Sequence, residues 1–96
     1  MSLKFEWDSY KAASNWKKHG VSFEEASTVF SDSLAYIFDD EWHSVDERRE
    51  IIIGHSDKDR LILVFFTEIA KDVIRIISAR PATKKERRDY EQYTRF

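Results

Sequence analysis

Residues 73–90, VIRIISARPATKKERRDY, concentrate the side chains that could handle a phosphodiester. Arg75 and Arg80 lie in a β-branched run, Lys84, Lys85, Arg87 and Arg88 follow the single Pro81, and Tyr90 closes the segment. A guanidinium presents a planar fork of donors that fits two phosphate oxygens at once, which a lysine ammonium cannot do. All eight arginines of the 96-residue chain fall in its second half. Residues 1–47 carry four lysines against ten acids, and residues 48–96 carry twelve cations against eight acids. A net charge of −2 argues against a protein that coats DNA, while the segregation of charge allows a local anion-binding patch.

Strand alternation sorts this chemistry. It places Val73, Arg75, Ile77 and Ala79 on one face, and Ile74, Ile76, Ser78 and Arg80 on the other. A charge at Arg75, among apolar neighbours, needs a partner or a wet surface. It is either an ion pair with Glu50, Glu68 or Asp72, or a phosphate ligand. Arg80 ends the strand beside a helix start, where unpaired N–H groups also attract anions. Tyr90 shares a helix side with Glu86 and Arg87. It either docks that helix on the sheet, or stacks a base or carries a proton. The two basic pairs 84–85 and 87–88 form a solvated helix face or track phosphates. His55, between a strand and a turn and within reach of Lys58 or Arg60, is the general acid–base candidate, because imidazole exchanges protons near neutral pH. His19 reads as a helix-end residue and His43 as solvent-facing.

The elements that must position these groups follow from capping and periodicity. Leu3, Phe5 and Trp7 alternate with Lys4 and Glu6 as a short strand. Asp8 caps a helix to about Lys18 with Ala12, Ala13 and Trp16 as its apolar stripe, stopped by Gly20. Ser22 and Glu25 form a capping box for a second helix that buries Phe23, Ala26 and Phe30. Residues 34–38 read as a strand and 39–47 as an acidic loop. Residues 50–55 form a strand, 56–59 a turn, and 60–68 a strand apolar on both faces and therefore central. Residues 72–80 form the last strand, and Thr83 with Glu86 forms a second capping box opening a helix to about Tyr93. The expected fold is a small α+β domain, one domain over residues 1–96, in the order β-α-α-β-β-β-β-α with a mainly antiparallel sheet.

Composition closes off other classes. With 42% hydrophobic residues, two Gly and one Pro, the chain can bury a core unaided. It has no Cys, hence no disulfide framework, thiolate zinc site or thiol nucleophile. The run Leu61–Phe66 is too short to span a bilayer, and residues 1–8 lack a signal-peptide pattern, so a cytoplasmic protein without membrane contact is expected. The Asp39-Asp40-Glu41-x-His43 cluster is a nonspecific metal signal, and no P-loop, HExxH, GxGxxG or GxSxG motif occurs. No metal or cofactor is expected.

Lys4-Phe-Glu-Trp-Asp8, Lys11-Ala-Ala-Ser-Asn15 and Lys18-His-Gly-Val-Ser-Phe-Glu-Glu-Ala26 resemble the opening of the BrnT family, ribonuclease toxins of type II toxin–antitoxin systems. Glu47-Arg48, Ile53-Gly-His-Ser56, Arg60-Leu61, Arg75-Ile-Ile-Ser-Ala-Arg80, Ala82-Thr-Lys-Lys-Glu-Arg87 and Tyr90 continue the likeness, which covers residues 4–91. Pro81 departs from the pattern. The resemblance implies a RelE-like fold, metal-free RNA cleavage that inhibits translation, and a cognate antitoxin with a ribbon-helix-helix DNA-binding domain through which operator DNA is bound. It assigns Arg75, Arg80 and Tyr90 to the site, with Arg60 and His55 beside them; Lys58, Lys84 and Arg87 are expected to hold RNA. In such a reaction the RNA 2′-hydroxyl attacks the adjacent phosphate, arginines stabilise the phosphorane, His55 is the expected base, and Tyr90 stacks or donates a proton. The rival reading is a non-catalytic module that binds RNA or protein.

Overall fold

In the computed structural model, which describes residues 2–42 and 48–94, the chain opens with strand β1 (Lys4–Glu6) and helix α1 (Ser9–His19). The expectation for His43 lies outside the described residues. Both ends of α1 form as the sequence dictates. The Asp8 carboxylate accepts the Tyr10 N–H at 2.8 Å, and Gly20 takes φ +67° so that its N–H reaches the Trp16 carbonyl at 2.9 Å.

Helix α2 (Phe23–Thr28) follows, with a 3-10 turn at Val29–Ser31. Ser22 accepts the Glu25 N–H at 3.0 Å. The expected reciprocal half of that capping box is not made. The Glu25 side chain is buried and bonds Arg60 and Ser56 instead, a tertiary ion pair winning over a local cap. Strands β2 (Tyr36–Asp39), β3 (Glu50–His55), β4 (Leu61–Ala70) and β5 (Val73–Pro81) complete the sheet, and helix α3 (Lys84–Tyr93) ends the fold. The Thr83–Glu86 capping box of α3 is complete in both directions. Element order and class agree with the sequence reading.

The sheet runs β1-β5-β4-β3-β2, with β1 parallel to β5 and the other pairs antiparallel. The doubly apolar β4 is central, as expected. Its two faces feed two cores. Ile62, Val64 and Phe66 meet Val21, Phe23, Ala26 and Val29 on the side covered by α1 and α2. Leu61 and Leu63 meet Ile51, Ile53 and Tyr90 on the side covered by α3.

Helix α1 buries only part of the expected apolar stripe: Ala12 packs against the core, but Ala13 is exposed, Trp16 is 56% exposed, and the fully buried residue is Asn15. The cause is a gap at the sheet edge. Strand β1 pairs only as far as Arg75, leaving the outer edge of β5 open beyond it. The Asn15 amide fills that gap by donating to the Ala79 carbonyl at 2.8 Å and accepting the Ala79 N–H at 3.0 Å. One side chain thus supplies the hydrogen bonds of a missing strand residue.

A second departure concerns β5. Phe65 pairs with Ser78 but Phe66 pairs with Ile76, so Ile77 is an extra residue in a β-bulge. The bulge resets the alternation. Thr67, Phe65 and Leu63 share one face of β4, and their partners are Arg75, Ser78 and Arg80. The expectation that Arg75 and Arg80 lie on opposite faces is therefore corrected: both stand on the α3 side.

Candidate functional site

The α3 side of the sheet is only partly covered. Tyr90 seats α3 over Ile53, Leu61 and Leu63. Beside it, toward β1, the sheet floor of Phe65 and Ser78 stays accessible and lines an open pocket of about 260 Å³. Arg80 and Arg49 enter this pocket from β5 and from the residue before β3. Asp40 and Ile77 line it as well, and His19 reaches it from the end of α1.

Arg80 is the best-defined cation. Its Nη1 and Nη2 each lie 2.8 Å from an oxygen of Glu86, a bidentate fork on the first turn of α3. Nη1 also reaches the Pro81 carbonyl at 3.3 Å, and the guanidinium carbon lies 5.9 Å from the centre of the Phe65 ring. The same Glu86 carboxylate accepts the Thr83 N–H at 2.9 Å. The Arg80 fork, with the Thr83 bonds, holds the Glu86 carboxyl well below the usual carboxylate range, at about 2, against the opposing effect of burial. Arg80 itself is shifted upward by that pair. A carboxylate thus sits where the guanidinium fork and a helix N-terminus converge, the geometry expected of an anion site. Nε and one Nη2 hydrogen of Arg80 make no hydrogen bond among the described residues.

Other expected site residues lie elsewhere. Arg75 shares the face with Arg80 but does not line the pocket. It pairs with Glu6 across the β1–β5 ladder at 2.6 Å, not with Glu50, Glu68 or Asp72. Arg60 donates from Nε to Glu25 at 2.9 Å and from Nη2 to the Gly20 carbonyl at 3.0 Å, tying the β3–β4 turn to both N-terminal helices. Glu25, buried and also bonded to the Ser56 hydroxyl at 2.6 Å, has its pKa lowered chiefly by the Arg60 bond.

His55 stands beyond α3, at the turn end of β3. Its backbone N–H reaches Asp32 at 2.7 Å, its Nδ1 lies 3.8 Å from the same carboxylate, and its ring meets Tyr90 edge-on at 5.6 Å. The expected partnership with Lys58 or Arg60 is replaced by Asp32. Tyr90 is 3% exposed, its ring parallel to Tyr36 and its hydroxyl 3.4 Å from the Leu34 carbonyl. Burial, followed by the nearby Asp32 charge, raises its pKa. A buried ring has no free face, so the base-stacking expectation for Tyr90 is corrected: it docks α3. Lys58, Lys84 and Arg87 are exposed, the first on the β3–β4 turn and the others on α3, and none lines the pocket.

Sequence reasoning missed His19, Arg49 and Asp40 as pocket residues. Their positions are 31 to 61 residues from Arg80 in sequence, and only the sheet order and the bulge bring them to Ser78. A residual signal existed in His19, an imidazole at a helix end that needs no side-chain partner there.

Residues 7–86 match the family described as the ribonuclease toxin, BrnT, of type II toxin–antitoxin systems. Among solved structures, the chain is similar to the Brucella abortus ribonuclease toxin BrnT, with 26% identity and a TM-score of 0.66 over 86% of this chain and 100% of that one. No curated protein matches the chain.

Proposed function

The chain belongs to the BrnT family of ribonuclease toxins of type II toxin–antitoxin systems, and from that membership we propose that it is a metal-independent endoribonuclease whose reaction centre is the Arg80 pocket. The observation that carries the reading is the meeting of two guanidinium groups, an imidazole and a hydroxyl, from Arg80, Arg49, His19 and Ser78, around one open 260 Å³ cavity.

The substrate supplies the nucleophile. The RNA 2′-oxygen attacks the adjacent phosphorus and the bond to the 5′-oxygen breaks. The 2′ proton leaves to a base, and the departing 5′-oxygen takes a proton from solvent in the open pocket, giving a 2′,3′-cyclic phosphate and a 5′-hydroxyl. Arg80 and Arg49 offset the charge gathering on the phosphorane, the stage at which a fixed donor contributes most. His19, lining the same cavity, takes the proton role first assigned to His55. Arg75 and Arg60 support the scaffold through Glu6 and Glu25, and Tyr90 through its core contacts.

Cleavage of cellular RNA would then inhibit translation. A cognate antitoxin with a ribbon-helix-helix domain would neutralise the toxin by covering this face and would carry the pair to operator DNA. Purified protein incubated with RNA in excess EDTA tests the core of the proposal. Cyclic-phosphate ends on RNA and no cuts in DNA of the same sequence are expected. Binding without cleavage, or cleavage only on adding magnesium, would overturn it, the former in favour of a binding module.

A further inference from the structure

A second cavity, of about 210 Å³, runs between α1 and the outer edge of β5. Lys11, Ser14 and Lys18 line it from the helix, and Ile77 and Ser78 from the bulge. His19, Ile77 and Ser78 also line the Arg80 pocket, so the two cavities adjoin at the bulge. Lys11, Ser14 and Lys18 are spaced i, i+3, i+7, which puts them in one row along about 10 Å of helix. Neither lysine makes an ion pair among the described residues, which leaves both ammonium groups available to an anion in the cavity. Lys18 and His19 also offset the negative end of α1, which would otherwise repel an anion.

We propose that Lys11, Ser14 and Lys18 form a second phosphate subsite, for the phosphate next to the one held at Arg80, so that an RNA single strand crosses the edge of β5 at the bulge. This rests on the ribonuclease reading of the Arg80 pocket. The two ammonium groups contact the phosphate oxygens as point charges, and the Ser14 hydroxyl donates one hydrogen bond. The ridge of Ile77 and Ser78 separating the subsites requires the strand to bend over it, which costs a flexible single strand less than a duplex.

The test is binding of a fluorescent, non-cleavable 2′-O-methyl oligoribonucleotide, read by anisotropy at several salt concentrations. A second readout is cleavage of a long RNA and of a dinucleotide containing a single phosphodiester. Lys11→Ala with Lys18→Ala should weaken oligonucleotide binding by roughly tenfold and flatten the log–log salt slope by about 0.7, since the two lysines share one phosphate and each phosphate contact on a single strand contributes about 0.7. Cleavage of the dinucleotide, which cannot reach the second subsite, should be unchanged. Lys17→Ala, on the same helix but outside the cavity, should change neither. If the double variant keeps the affinity and slope of the parent protein, the subsite is overturned while the nuclease reading stands. If the parent protein binds and the double variant loses binding, but neither cleaves RNA, the nuclease reading falls and the subsite stands. If the parent protein does not bind, the subsite is overturned, and the cleavage readout alone decides the nuclease reading.

Discussion

Glu86 accepts both prongs of the Arg80 fork and caps its own helix, so one carboxyl couples site geometry to acidity. Its pKa is lowered from 4.5 to about 2, and its stabilising contribution is therefore complete above pH 4.5 and disappears as the pH falls toward 2. Urea unfolding between pH 7 and 2 should show parent stability dropping across that window, and Glu86→Gln should show a shallower drop there. An equal acid slope in both proteins would contradict the assignment. The two histidines separate in the same way. His19→Ala should lower RNA cleavage by about 10² or more, the range for losing a general acid or base, while His55→Ala, beyond α3, should retain most activity. Arg80→Ala should lower cleavage by about 10²–10³, as for loss of a fixed oxyanion donor. Single-turnover cleavage of one RNA by the three variants checks all of this.

At the scale of elements, local rules were readable and tertiary exceptions were not. β3 spans the expected residues, and the Gly20 stop and the Thr83–Glu86 box form as their residue types demand. The faces of β5 could not be read, because the extra Ile77 has the same β-branched character as its neighbours and no Gly or Pro marks the bulge. The role of Asn15 was hidden for a related reason: only the shortness of β1 makes an asparagine more useful than an apolar residue at that point in α1. The pocket inherited both gaps, since His19 follows from where α1 lies and Arg80 from which way β5 turns. Gly54, in β3, offers a direct check on packing between elements. A Cβ there would fall 2.7 Å from the Ala35 Cβ and 2.9 Å from Asp32 Oδ2, which bonds the next residue, His55. Gly54→Ala should cost about 1–3 kcal/mol, as overpacking does, measured by urea unfolding at neutral pH. A neutral result would mean that the 32–35 segment yields.

Across the whole molecule, the Arg60–Glu25 pair joins α2, the end of α1 and the β3–β4 turn. Removing the cation leaves a buried carboxylate unpaired, which costs about 3–5 kcal/mol for a fully buried pair. The Arg60 side chain is 40% exposed, so Arg60→Ala should cost less, about 2–3 kcal/mol. Residual folded protein should keep its cleavage rate per active molecule, measured by titrating folded fraction against activity; a rate loss beyond the unfolded fraction would return Arg60 to the chemistry. The sheet also has two unlike borders. On one, a three-residue strand and the Asn15 amide leave little backbone to bond. On the other, β2 has no strand beyond it among the described residues, and it carries Ile37 and Phe38 at 51% and 39% exposure. Strand addition at the β2 border would join two copies about a twofold axis, and the short β1 border offers few backbone groups for any further copy.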